Sequence, residues 1–284
     1  MNNRKLIKNK KGFTLVELSL SIAFIAILSI TIALIINDAI STYRRGLTLN
    51  QINTVGMDLV DDMRATIQNS PANSMKEKCA SLYKGSDKTA CENEKGLKFV
   101  IVKKGGRVNG VSDNTPIYGA FCTGAYSYIW NSGYFFSDKK PEVAAAYLDY
   151  NGTLYSDFRL LKVKDINREV CMSALQVESG VPKYAYKTSD VNHFIVSKAE
   201  EEPTILLADD NANSLALYDL TSQAPVSNGV NAAFYATSFI LGTLQGGINV
   251  MSSGNFCAAP SEYDSNFDYC AINKFNFAAQ ANGG

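Results

Sequence analysis

The 284-residue chain has one histidine and one tryptophan, and its basic and acidic side chains balance at 27 each. The lone His193, beside Phe194 and Ile195, has no nucleophile or second base arranged around it, so the chain reads as a non-enzyme. No cysteine pair stands at C-x2-C spacing, which with a single histidine leaves no zinc ligand set. The missing basic excess argues against a nucleic-acid partner. No proline occurs before Pro71, so nothing in the first seventy residues forces a helix to stop. Internal repeats and low-complexity tracts are absent too.

What is present begins with residues 1–12, MNNRKLIKNKKG, which carry Arg4, Lys5, Lys8, Lys10 and Lys11 and no acid. The next 24 residues, Phe13 to Ile36, are apolar except for Thr14, Glu17, Ser19, Ser21, Ser29 and Thr31. At about 1.5 Å per residue they make roughly 36 Å of helix, enough to cross a hydrocarbon core of about 30 Å. The apolar run is too long for a cleaved secretory signal, whose core is about 7–15 residues. The basic flank predicts a cytoplasmic N-terminus and an exported remainder. Glu17 is the one ionisable group in the span, and an acid near mid-span costs on the order of 2.5–3.5 kcal/mol on insertion scales, so it marks function.

A basic leader ending in Gly12, then Phe13-Thr14-Leu15-Val16-Glu17-Leu18, resembles the start of the type IV pilins and pseudopilins. The resemblance covers roughly residues 8 to 70. It implies that residues 1–12 are removed by a prepilin peptidase between Gly12 and Phe13, that the new amino terminus is methylated, and that Glu17 becomes the acid four residues past it. The implied partners are other copies of the chain or related pilins in a filament, the peptidase and the inner-membrane assembly machinery. The implied location is the cytoplasmic membrane, single pass with the N-terminus inside, and then an extracellular pilus. A structural pilus subunit is the leading expectation. A low-copy minor pilin or tip adhesin, and a pseudopilin of a type II secretion or DNA-uptake system, share the same anchor and remain open. The chemistry of the match is readable, because cleavage leaves an α-amine on Phe13 in an apolar setting with no partner in its own helix. A neighbour's Glu17 supplies one, and two desolvated opposite charges satisfy each other only at one helix stagger.

Without the leader the chain holds 22 basic and 27 acidic side chains. Six cysteines, Cys79, Cys91, Cys122, Cys171, Cys257 and Cys270, lie beyond the span, where oxidation is expected. Six allow fifteen connectivities and the sequence alone does not choose. The favoured scheme takes the two short loops, 79 with 91 and 257 with 270, and leaves 122 with 171.

Between residues 37 and 70, Ile40, Tyr43, Leu47, Ile52, Val55, Leu59, Met63 and Ile67 recur every three to five positions. They predict one apolar stripe on a helix running from Phe13 to about Ser70, its outer half packed under a head. Gly46 and Gly56 each weaken that helix by about 1 kcal/mol relative to Ala, and Gly46 is the expected place for any melting. Arg44, Arg45, Asp58, Asp61, Asp62 and Arg64 read as solvated faces, with Arg44 or Arg45 as candidates for a neighbour's acid. Residues 71–96 read as a disulfide-stapled surface loop.

Residues 97–284 form the expected head. Strands are predicted at 97–103, at 117–130 and 134–137 as a hairpin turning at 131–133, and at 144–150 and 153–158 around Asn151-Gly152. Further strands are expected at 204–208, 215–220, 232–241 and 247–251. Residues 158–175 read as a strand passing into a helix. The charged, turn-rich stretch 178–203 is a possible lobe boundary, and the tail from Ser252 is expected to end in disordered AAQANGG. The fold class is therefore α+β: a long N-terminal helix packed on an antiparallel sheet head, with a second β-rich lobe.

No cofactor or metal is expected. Asp209, Asn211 and Asn213 alternate like calcium ligands, but Ser214 stands in the turn-glycine place and Leu220 in the bidentate-acid place, so an Asx-capped turn is preferred. Glu262, Asp264 and Asp268 read as solvated loop charges. Tyr126, Tyr128, Trp130 and Tyr134 are either packed core or an exposed face for sugar rings, and the burial of Trp130 decides between them. Asn151-Gly152-Thr153 is a glycosylation sequon by letter, which the hairpin explains without modification.

Overall fold

The computed structural model describes residues 12–70, 79–80, 83–92, 98–103, 107–108, 111–112, 116–123, 125–132, 145–148, 152–155, 157–165, 169–172, 175–184, 194–197, 202–208, 215–223, 233–243 and 271–281. Helix α1 (Leu15–Gln68) is unbroken over 54 residues, about 81 Å at the usual rise. It starts after Thr14, which caps it, and ends at Asn69, whose N–H reaches back to Ala65 O at 3.0 Å. Ser70 precedes Pro71, a position that disfavours helix.

The single apolar stripe expected on the outer helix is in fact two. Ile52, Leu59, Met63 and Ile67 are buried, whereas Ile40, Tyr43 and Leu47 are exposed. The step from Leu47 to Ile52 is five residues, which turns the stripe by about 140° at 3.6 residues per turn. The apolar face thus changes sides of the helix at about residue 50.

The head is mainly antiparallel sheet. Strands β1 (Lys98–Lys103), β4 (Pro116–Cys122), β5 (Tyr126–Asn131), β8 (Phe158–Lys164) and β12 (Thr204–Ala208) form a five-stranded sheet in the order β1-β4-β5-β8-β12, every pair antiparallel. The strand expected over 117–130 is two strands, and the hairpin lies inside it. Thr123 makes that turn by donating its N–H to Tyr126 O at 2.9 Å while its Oγ1 accepts from Tyr126 N at 3.2 Å. β2 (Arg107–Val108) and β3 (Val111–Ser112) make a short ribbon.

The Asn151-Gly152 hairpin forms: β6 (Ala145–Leu148) pairs with β7 (Leu154–Tyr155), and Gly152 takes the left-handed φ of 85° that its turn needs. The expected strand-then-helix over 158–175 is β8 followed by only one turn, α3 (Glu169–Met172). The stretch 178–203 carries strands of its own. β9 (Leu175–Glu178) and β10 (Val181–Tyr184) close over Ser179 and Gly180, both at positive φ, and α2 (Gly85–Glu92) offers Asp87 Oδ1 to the Gly180 N–H at 2.9 Å. β11 (Phe194–Ser197) pairs with β6 in parallel, an exception to the antiparallel head.

β13 (Leu215–Gln223), β14 (Ala233–Thr243) and β15 (Ile272–Ala281) make a second, three-stranded antiparallel sheet. The tail expected to be disordered therefore supplies a strand, and Ala278–Ala281 belong to it; the expected strand at 247–251 lies outside the described residues. β15 alternates buried Phe275, Phe277 and Ala279 with exposed Lys274, Asn276, Ala278 and Gln280, the period-two pattern of a half-buried strand. One buried cluster draws on α1 (Ile52, Leu59, Val60, Met63, Ile67), the first sheet (Phe121, Tyr128, Trp130, Leu160, Leu207) and the second (Leu217, Leu220, Phe239, Leu241, Phe275, Phe277). Each fully buried side chain of this size contributes roughly 1.5–3 kcal/mol.

Candidate processing and assembly site

The N-terminal site is built on the first turn of α1. Gly12 and Phe13 precede the helix in exposed, non-helical backbone, Phe13 at 83%. Thr14 donates both its N–H, at 3.0 Å, and its Oγ1, at 2.9 Å, to Glu17 Oε2, and Glu17 N returns a bond to Thr14 Oγ1 at 3.3 Å. This reciprocal arrangement is a capping box, which satisfies donors that a helix start leaves orphaned. Glu17 is therefore the third residue of the helix, at its end and not near its middle, where its charge also faces the positive pole of the helix dipole. Thr14 was missed in reading the sequence, although T-x-x-E before an apolar run is the signature of such a box.

The other polar groups in the apolar stretch are satisfied within the helix. Ser19, Ser21, Ser29 and Thr31 each donate to a carbonyl three or four residues back, at 2.8–3.0 Å. Among the described residues α1 is the one helix long and apolar enough to cross a membrane, by length and composition. Residues 12 to 40 are all exposed among the described residues.

A second polar site joins α1 to the head. Asp62 Oδ1 accepts from Lys162 Nζ at 2.6 Å and its Oδ2 accepts from Tyr128 OH at 2.7 Å, while Tyr128 OH also lies 2.8 Å from Thr66 Oγ1. Lys162 Nζ sits over the Tyr126 ring at 4.6 Å and the Tyr128 ring at 5.7 Å. Burial, and then the negative charge of Asp62, push the Tyr128 hydroxyl far above the ordinary tyrosine range. Nothing in the local sequence pattern connects Asp62 with Lys162, which lie a hundred residues apart.

Two of the expected disulfides form, Cys79–Cys91 and Cys122–Cys171, while Cys257 and Cys270 lie outside the described residues. Asp165, buried beside the second bond, accepts from Ser127 Oγ at 2.6 Å and from Val170 N at 3.2 Å, so it ties β5 to the helical turn that carries Cys171. Tyr128 and Trp130 are fully buried, which removes them from any exposed aromatic face; Tyr126 is partly exposed and Tyr134 lies outside the described residues. His193, Asp209, Asn211, Asn213, Glu262, Asp264 and Asp268 also lie outside them. Arg44 and Arg45 are exposed on α1.

No protein-family model, curated protein or solved structure matches this chain.

Proposed function

We propose that the chain is a structural subunit of a type IV pilus-like filament, cut after Gly12, methylated on Phe13 and assembled through α1. The observation that carries the reading is a helix that is apolar and exposed from residue 12 to residue 40 and headed by Gly12, Phe13 and Glu17 in the frame of a prepilin. Such a surface needs lipid first and other helices afterwards. Before assembly the capping box holds Glu17, and after cleavage the Phe13 amine of a neighbour competes for the same carboxylate. The head faces outward on the outer half of α1, with β13, β14 and β15 as its second β-rich layer.

The test is the intact mass and copy number of the chain in filaments sheared from cells, with a Glu17→Ala variant alongside. The expected result is an abundant chain starting at Phe13, and insertion and cleavage without incorporation for the variant. Normal filaments from Glu17→Ala sink the reading. A rare chain starting at Phe13 favours the minor-pilin, tip-adhesin or pseudopilin role instead.

A further inference from the structure

The connection from β6 to β7 consists of residues 149–153, since Leu148 and Leu154 are the last residues paired across the hairpin. It reads Asp149-Tyr150-Asn151-Gly152-Thr153. The turn accounts for Asn151 and Gly152. It does not call for a hydroxyl at Thr153 or an acid at Asp149, and no other asparagine of the chain heads an Asn-x-Ser/Thr triplet.

The place of the triplet in the fold gives it a use. An oligosaccharide transferase must draw its acceptor asparagine into a groove of its own, so a sequon serves only on a surface loop of an exported chain. Gly152 and Thr153 are exposed, and Leu154 after them is 52% exposed. In such a groove the hydroxyl two residues past the asparagine sets the register, and an acid two residues before it offers a basic side chain a second handle. β7 ends the sheet order β11-β6-β7 and is two residues long, so drawing the connection outward disturbs one short strand and leaves the five-stranded sheet intact.

We propose that Asn151 is an N-linked glycosylation site, with Asp149 and Thr153 as the residues its transferase reads. The donor is an oligosaccharide on a polyisoprenyl pyrophosphate. Asn151 Nδ2 bonds to the anomeric carbon, the bond from that carbon to the pyrophosphate oxygen breaks, the amide gives up one proton and the lipid pyrophosphate leaves. The product stands beside exposed Leu154 and the outer edge of β7, where a bulky hydrophilic chain blocks pairing with another strand. The proposal needs the head to be exported and does not need it to be built into a filament.

The test is tandem mass spectrometry of the peptide that spans 149–153, taken from the full-length chain in the membrane and sheared fractions of the cells that make it. The expected result is a sugar increment on Asn151 with carbohydrate fragment ions. It should vanish in Asn151→Gln and Thr153→Ala, persist in Thr153→Ser and fall several-fold in Asp149→Asn. The Cys122–Cys171 link, mapped in the same digests, shows that each variant has folded. An unmodified peptide, a sugar on any other residue, or full occupancy in Asp149→Asn overturns the proposal. If Cys122 and Cys171 are also reduced in the unmodified wild-type chain, the exported topology falls with it. Absence from sheared filaments with Asn151 modified in the membrane fraction counts against the filament reading and upholds the site.

Discussion

The ring of Phe275 on β15 fills the space that a side chain at Gly56 of α1 would need, so a Cβ added there would lie only 2.0 Å from Phe275 Cζ. Phe275 is itself stacked on Phe239 with centroids 5.1 Å apart and is 7% exposed, so it has little room to retreat. Ten residues earlier, Gly46 meets nothing within 4 Å. Two glycines of one helix therefore serve opposite ends.

Gly56→Val should destabilise the detergent-solubilised chain by roughly 1–3 kcal/mol through overpacking. Gly46→Ala should stabilise the same monomer by up to about 1 kcal/mol, since only helix propensity changes. Denaturant midpoints of the two variants should move in opposite directions; a neutral Gly56→Val contradicts the tight contact.

Lys162→Met should cost about 1 kcal/mol, because the pair with Asp62 is partly exposed, at 16% and 32% of the two side chains, and solvent screens it. Asp62→Leu with Tyr128 intact should cost more, since it leaves the Lys162 ammonium without its carboxylate and takes the charged acceptor from the buried Tyr128 hydroxyl, which keeps only Thr66 Oγ1. Equal small losses from both would show that the joint is held by apolar packing alone.

High pH should loosen the head. Burial pushes the Tyr118 hydroxyl up to about 12, and Tyr128 is raised further in the same direction. A raised folded-state value means that the stability is fully present below about 10, the unfolded tyrosine value, and is lost as pH climbs through 12. The urea midpoint should therefore fall from about pH 10 upward, and Tyr118→Phe should flatten that fall.

The two disulfides should differ in worth. Chain-entropy estimates give about 4 kcal/mol for the loop of Cys122–Cys171 and about 3 kcal/mol for that of Cys79–Cys91, whose separations are 49 and 12. Paired Cys→Ala variants should lower the melting temperature more for 122 and 171 than for 79 and 91.

Local patterns were legible wherever neighbours in sequence decide the structure. The long, initially apolar helix, the Asn151-Gly152 hairpin and the strands at 204–208 and 215–220 follow from apolar runs, spacing and turn residues that act within a few positions. The one-turn α3 and the Thr123 turn were misread because a strand-rich stretch gives weak local signals about where it reverses. The tail strand was missed because Ala, Asn and Gln have little strand preference, and β15 forms on the strength of β14 beside it and α1 beneath it.

The sequence by itself determined a long apolar helix with Gly12, Phe13 and Glu17 at its head, and six cysteines beyond it whose pairing it left open. Only tertiary structure decided that the apolar stripe of α1 changes sides near residue 50, that Trp130 and Tyr128 are core, and that Asp62 meets Lys162. The reason is physical: periodicity reports where apolar groups lie around one element, but which face is covered depends on the strand or helix that arrives from far along the chain.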